Sequence, residues 1–159
     1  MNAVPIIAAA GLTKRYGAVE AVKGISFEVE RAGCIGLLGP NGAGKTTTMR
    51  MLMGLTAVSG GSLSVFGRPV ETLSRAERAR IGLVPQDNNL DPDLTVAENL
   101  QVYGRYFGLG GARVAERMGE LLAFMQLTDR AASRVMQLSG GMKRRLVIAR
   151  ALIGEPELV

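Results

Sequence analysis

The stretch Gly39-Pro40-Asn41-Gly42-Ala43-Gly44-Lys45-Thr46-Thr47 combines small residues, one cation and two hydroxyls within a single turn-length segment. Without Cβ atoms in the way, successive backbone N–H groups can turn inward around anionic oxygens. Lys45 adds a point charge, and the N-terminal amides of a following helix add their dipole. A loop of this pattern cradles the phosphates of a nucleoside triphosphate: Lys45 reaches the β- and γ-phosphates, the Thr46 hydroxyl ligates Mg²⁺, and Thr47 contacts the neighbouring phosphate. The competing reading is a Gly-rich turn that carries a lysine by chance. Placement argues against it, because the apolar run Cys34–Leu38 reads as a strand entering the loop and the run from Lys45 reads as a helix leaving it.

These residues need elements to hold them. Ile6 to Leu12 reads as a first strand and Thr13 to Gly17 as a turn carrying Tyr16. Residues 18–23 and 25–29 have the alternation of two short antiparallel strands separated by Gly24. Met49, Leu52 and Met53 recur at helical spacing after the loop, and Gly54 stops the helix. Ser59-Gly60-Gly61 is turn chemistry before a strand over residues 62–66. Ser74-Arg75-Ala76-Glu77 and Thr95-Val96-Ala97-Glu98 are capping-box patterns that each begin a helix. Between them Ile81–Val84 reads as a strand ending at Pro85, and Gln86 opens a polar loop. A further amphipathic helix carries Val114, Met118, Leu121, Leu122 and Met125, with the methionines as core filler. The last helix begins after Ser139-Gly140-Gly141 and buries Leu146, Ala149, Leu152 and Ile153.

Composition narrows the class. At 159 residues, with 47% hydrophobic and 21% charged residues, the chain has the balance of one globular domain. It contains no run of about 18 apolar residues, and its start lacks the basic segment and long apolar core of a secretory signal, so a cytosolic location is expected. The lone Cys34 is expected to be a buried core thiol. A net charge of +5 would suit nucleic acid or an anionic membrane, but the basic residues are spread over several helices and aromatic residues at 4% offer no stacking platform for bases. No direct nucleic-acid binding is expected.

Taken with the phosphate loop, Leu138-Ser139-Gly140-Gly141-Met142 opening a helix that carries Lys143, Arg144 and Arg145 resembles the ATP-binding cassette (ABC) ATPases. Tyr16, the loop, Gln86 and the Ser-Gly-Gly segment stand in that family's order. The segments Val84–Pro92 and Gly141–Leu146 are most similar to the exporter group that includes NodI and the daunorubicin-resistance ATPases. The resemblance implies an α/β fold: a P-loop NTPase (RecA-like) core with an N-terminal antiparallel β-subdomain and a helical signature-motif subdomain. Residues 1–85 would form the β-subdomain and loop core, 86–140 the helical subdomain, and 141–159 the return to the core, together the N-terminal part of a single ABC ATPase domain.

The same resemblance implies roles. Tyr16, otherwise an ordinary surface tyrosine, would stack on adenine, which suits a planar π-face. Gln86, otherwise a solvent-facing loop residue, would contact Mg²⁺ or the attacking water and serve catalysis with Lys45. Ser139, Gly140 and Gly141 would close on the γ-phosphate held by a second cassette, giving a head-to-tail homodimer with two ATP molecules between its subunits. Met142 departs from the family's glutamine, and a thioether cannot replace an amide's hydrogen bonds. Cofactors would be ATP and Mg²⁺. Partners would be transmembrane permease subunits, with the protein peripheral on the cytoplasmic face of the membrane and lipo-oligosaccharide, drug or other lipid cargo left to those subunits.

Hydrolysis needs a carboxylate for the metal and another for the water. In the family both follow an apolar strand, which here would open at Leu158-Val159; the chain also lacks the family's γ-phosphate-sensing histidine. It is therefore expected to be incomplete at its C-terminus and to bind nucleotide without efficient turnover. A soluble, non-transport ABC ATPase acting on ribosomes or nucleic acid is the alternative class, and a non-catalytic truncated product is a third.

Overall fold

In the computed structural model, which describes residues 4–159, the chain falls into two compact units, Met1–Arg78 and Ala79–Val159. The first is built on a four-stranded antiparallel sheet in the order β2-β1-β3-β4, with β1 at Ile7–Tyr16, β2 at Val19–Val29, β3 at Gly60–Val65 and β4 at Arg68–Pro69. Thr13–Tyr16, read from sequence as turn, continue β1. Only Gly17 and Ala18 turn, with Gly17 at φ +57°, where a side chain is disfavoured. The expected pair of short strands over 18–29 is one strand, because shifts in its pairing with β1 absorb Gly24 without breaking the ladder. Alternation along β1 buries Ile7 and Ala9, and a register shift after Ala9 brings Leu12 to the same core, which also holds Leu63 and Val65 of β3 and Val22 and Val29 of β2.

Helix α1, Lys45–Leu52, crosses this unit and buries Thr48, Met51 and Leu52. It stops where expected, with Gly54 at φ +65°. Residues 34–38 depart from expectation. They carry no strand, Cys34 is exposed rather than buried, and Leu38 is 94% exposed. Among the described residues no strand pairs with them, and an apolar run without a neighbouring strand has neither ladder nor core to join. The short helix α2, Arg75–Arg78, closes the unit with its capping box formed: the Ser74 amide donates to Glu77 at 2.8 Å and the Glu77 amide to Ser74 Oγ at 3.2 Å.

The second unit is helical: α3 at Val96–Tyr106, α4 at Gly111–Phe124 and α5 at Gly140–Leu152. Their apolar stripes converge on one cluster containing Leu100, Leu121, Leu122, Leu146, Ala149 and Ile153. The Thr95 box caps α3, its amide donating to Glu98 at 2.7 Å and the Glu98 amide to Thr95 Oγ1 at 3.2 Å. The strand expected over 81–84 is reduced to a single parallel bridge between Ile81 and Leu158, and the Gly82 amide donates to the Leu158 carbonyl at 2.8 Å. Leu158 thus takes the strand-like pairing expected of it.

Candidate functional site

The loop from Gly39 to Gly44 leads straight into α1, and its conformation explains its residue types. Gly39, Gly42 and Gly44 have φ of +149°, +84° and +85°, values that side chains rarely adopt. Gly44 is also hemmed in by the hairpin, since a Cβ there would lie 2.3 Å from the Ala21 carbonyl and 3.1 Å from Val22 Cγ2. The Ala43 amide donates back to the Pro40 carbonyl at 3.2 Å, holding the loop folded.

Lys45 sits over this loop, its ammonium donating to the carbonyls of Gly39 at 2.6 Å and Pro40 at 2.7 Å. Intrahelical bonding begins with the Thr48 amide donating to the Gly44 carbonyl at 2.8 Å, and the Thr48 hydroxyl donates to the same oxygen at 3.0 Å. The amides of residues 44–47 precede that first bond and have no partner within the helix. No side chain caps them, and no acidic residue occupies the first turn. Backbone donors, a cation and a helix N-terminus therefore share one place, the requirement for holding polyanionic oxygen. The exposed Thr46 hydroxyl stands in that turn. Magnesium keeps several waters and takes few protein ligands beside phosphate oxygens, so one hydroxyl suits it. Among the described residues no group of three or more Cys, Asp or Glu could hold a metal by itself. The glycine cradle and the lone hydroxyl fit a metal–triphosphate better than a metal alone.

Beside the loop lies a pocket of about 360 Å³, lined by Gly42, Ala43 and Thr48 and by Glu20 to Lys23 of β2. The β2 residues were not singled out in the sequence, since their approach to the loop depends on long-range packing that spacing does not encode. Tyr16 stands at the tip of the same hairpin, opposite Val19. Its ring is half exposed, and Lys14 Nζ lies 5.0 Å from the ring centroid.

Gln86 and Ser139–Gly141 belong to the second unit. Gln86 is exposed in a bend, and its backbone is held from α5: Arg144 donates to the Pro85 carbonyl and, at 3.5 Å, to that of Gln86. Arg150 of the same helix donates to the carbonyls of Asn89 at 2.6 Å and Asn88 at 3.4 Å, and its guanidinium lies 4.2 Å from the Tyr103 ring centroid. Burial lowers the Arg150 pKa below the usual guanidinium range, against the raising effect of Tyr103. Ser139 caps α5, its Oγ accepting from the Met142 amide at 3.2 Å. Gly140 and Gly141 are exposed, with open space where a Cβ would stand. Met142 packs against the helical core.

A glycine loop opening a helix, with a capped Ser-Gly-Gly helix in the same chain, is an arrangement of the P-loop class, and the ABC transporter family model matches residues 22–159. The chain belongs to the ABC transporter family. It is 51% identical over its whole length to the Nod factor export ATP-binding protein I of Ralstonia nicotianae, covering 50% of that protein. Against the protein of the same name from Cupriavidus metallidurans it is 53% identical over 146 residues, 92% of this chain and 48% of the relative. A solved ATP-binding subunit of an ABC transporter superposes with a TM-score of 0.82 at 29% identity, over 95% of this chain and 63% of that one. The chain thus spans about half the length of the curated relatives it matches. The fold expected from the sequence is the fold of this family.

Proposed function

We propose that this chain binds Mg·ATP as part of the ATP-hydrolysing subunit of a membrane exporter. The observation that carries this reading is the glycine loop pressed against β2, with Lys45 drawn over it and the helix N-terminus open behind it. The loop from Gly39 to Gly44 wraps the phosphates, the amides of residues 44–47 donate to them, Lys45 neutralises the β- and γ-oxygens, and Thr47 adds a donor. Tyr16 takes the base. Thr46 would hold Mg²⁺, which when bound would neutralise charge on the transferring phosphoryl group. In the whole subunit Gln86 would contact the metal or the attacking water, and Lys45 would stabilise charge as the bond breaks.

The exposed turn Ser139-Gly140-Gly141 presents free helix amides of the kind that bind anionic oxygen. It serves the triphosphate of a second subunit in a head-to-tail homodimer. Transmembrane permease subunits are the remaining partners. The subunit lies on the cytoplasmic face of the membrane, and no helix among the described residues is long and apolar enough to cross it. Support for export comes from relatives named as Nod factor export ATP-binding proteins.

Isothermal titration with Mg·ATP tests the phosphate site. Lys45→Ala is expected to weaken binding by at least about tenfold with little change in melting temperature, since one charged hydrogen-bonding partner contributes about 1.5–3 kcal/mol. Unchanged affinity would remove the loop from the proposal. Copurification of the full-length protein with membrane subunits tests the exporter assignment.

A further inference from the structure

Lys14 has no part in the site as described so far, yet it is held by three features of the fold. Lys14 and Tyr16 are alternate residues of β1, so their side chains leave the same face of the strand. The Gly17-Ala18 turn pairs Tyr16 with Val19 and places Tyr16 at the hairpin tip. The Lys14 ammonium donates to the Ala57 carbonyl at 2.7 Å while standing 5.0 Å from the Tyr16 ring centroid. The segment bearing Ala57 is itself fastened along β1: the Ser59 amide donates to the Thr13 carbonyl at 3.0 Å, and the Arg15 amide to Ser59 Oγ at 3.1 Å. The lysine is thus anchored at its charged end, and one side of the ring is taken by a cation.

A cation over an aromatic face is attracted by the ring's quadrupole. It restrains the ring and draws electron density toward itself. The opposite face becomes less negative and repels a stacked π-system less, which favours an electron-rich purine there. We propose that Lys14 is a positioning residue for the nucleotide base, acting through Tyr16 and not on the phosphates. This rests on the reading of the loop as a nucleotide site and of Tyr16 as the residue that takes the base.

The test compares Mg·ATP with inorganic tripolyphosphate, which offers the loop the same kind of anion without a base, by titration calorimetry on the protein. K14M is expected to weaken ATP binding about threefold, the size of an exposed cation–π contact, and to leave tripolyphosphate unchanged. K14Q keeps a donor for the Ala57 carbonyl without the charge and should behave like K14M, whereas K14R should restore ATP affinity. In a Y16A background K14M should have no further effect.

Equal weakening of both ligands would make Lys14 a phosphate contact and overturn the proposal. A K14M loss that persists in Y16A, a K14Q protein that binds like the wild type, or no loss at all would overturn it too. Lys45→Ala separates the two levels. If that variant binds tripolyphosphate as well as the wild type, the nucleotide-site reading fails and takes the role of Lys14 with it; if it does not, the Lys14 comparisons decide their own question.

Discussion

Gly44 shows how little choice the site leaves at a single position. Its φ of +85° and the 2.3 Å approach that a Cβ would make to the Ala21 carbonyl act together, so alanine there meets both backbone strain and a clash with main chain that cannot swing away. Gly44→Ala is expected to lower stability by roughly 1–3 kcal/mol, read from urea denaturation, and to abolish Mg·ATP binding because the first helical amides shift with it. Wild-type affinity in a folded Gly44→Ala protein would show that the hairpin does not constrain the loop. Constraint of this kind makes residues legible: Gly39 to Thr47 could be picked from the sequence because the chemistry dictates both their types and their spacing. Lys14 and Ala21 could not. Lysine and alanine are ordinary in a strand, and what makes them matter is a contact across the hairpin or to a segment tens of residues away.

At the scale of elements, ends were easier to read than strands. Both capping boxes formed as expected because they are local, a hydroxyl and a carboxylate satisfying amides three residues apart. Strands need partners, and so the turn expected at Thr13 became strand while the strands expected at 34–38 and 81–84 did not form as such. The α3 box carries a pH signature. Hydrogen bonds from the Thr95 amide, then from its hydroxyl, hold the Glu98 pKa below the ordinary glutamate value, against burial and with help from Arg134. A carboxylate whose pKa is depressed on folding contributes stability that is fully present above its unfolded value, near 4.3, and is lost as the pH falls through the lower folded value. Helix α3 is expected to loosen as the pH drops below about 4.3, and Glu98→Gln should flatten that part of the stability profile in acid melts followed by circular dichroism. A profile identical to that of the wild type would rule the cap out as its source. Thr95→Ala should cost about 1 kcal/mol near neutral pH.

For the whole molecule, the decisive property is where apolar surface lies relative to backbone that has no ladder partner. Ile35 and Leu38 are exposed in the first unit, and Leu83 and Val159 in the second. Residues 34–38 combine β-branched and other apolar side chains with main-chain groups that no strand among the described residues takes up. Such a stretch can pair with the same stretch of another copy, and nothing here supplies the charge, proline or bulge that usually prevents this. A net charge of +5 opposes association only weakly once salt screens it beyond roughly 8–10 Å. The 159-residue chain is therefore expected to associate as its concentration rises, measured by light scattering coupled to size exclusion. Leu38→Lys should shift the population toward monomer without lowering the melting temperature, because a side chain that is 94% exposed contributes almost nothing to the core. Association that is unchanged in Leu38→Lys would move its cause away from this stretch. A wild-type chain that stays monomeric at high concentration would mean that residues 34–38 find their cover within the molecule.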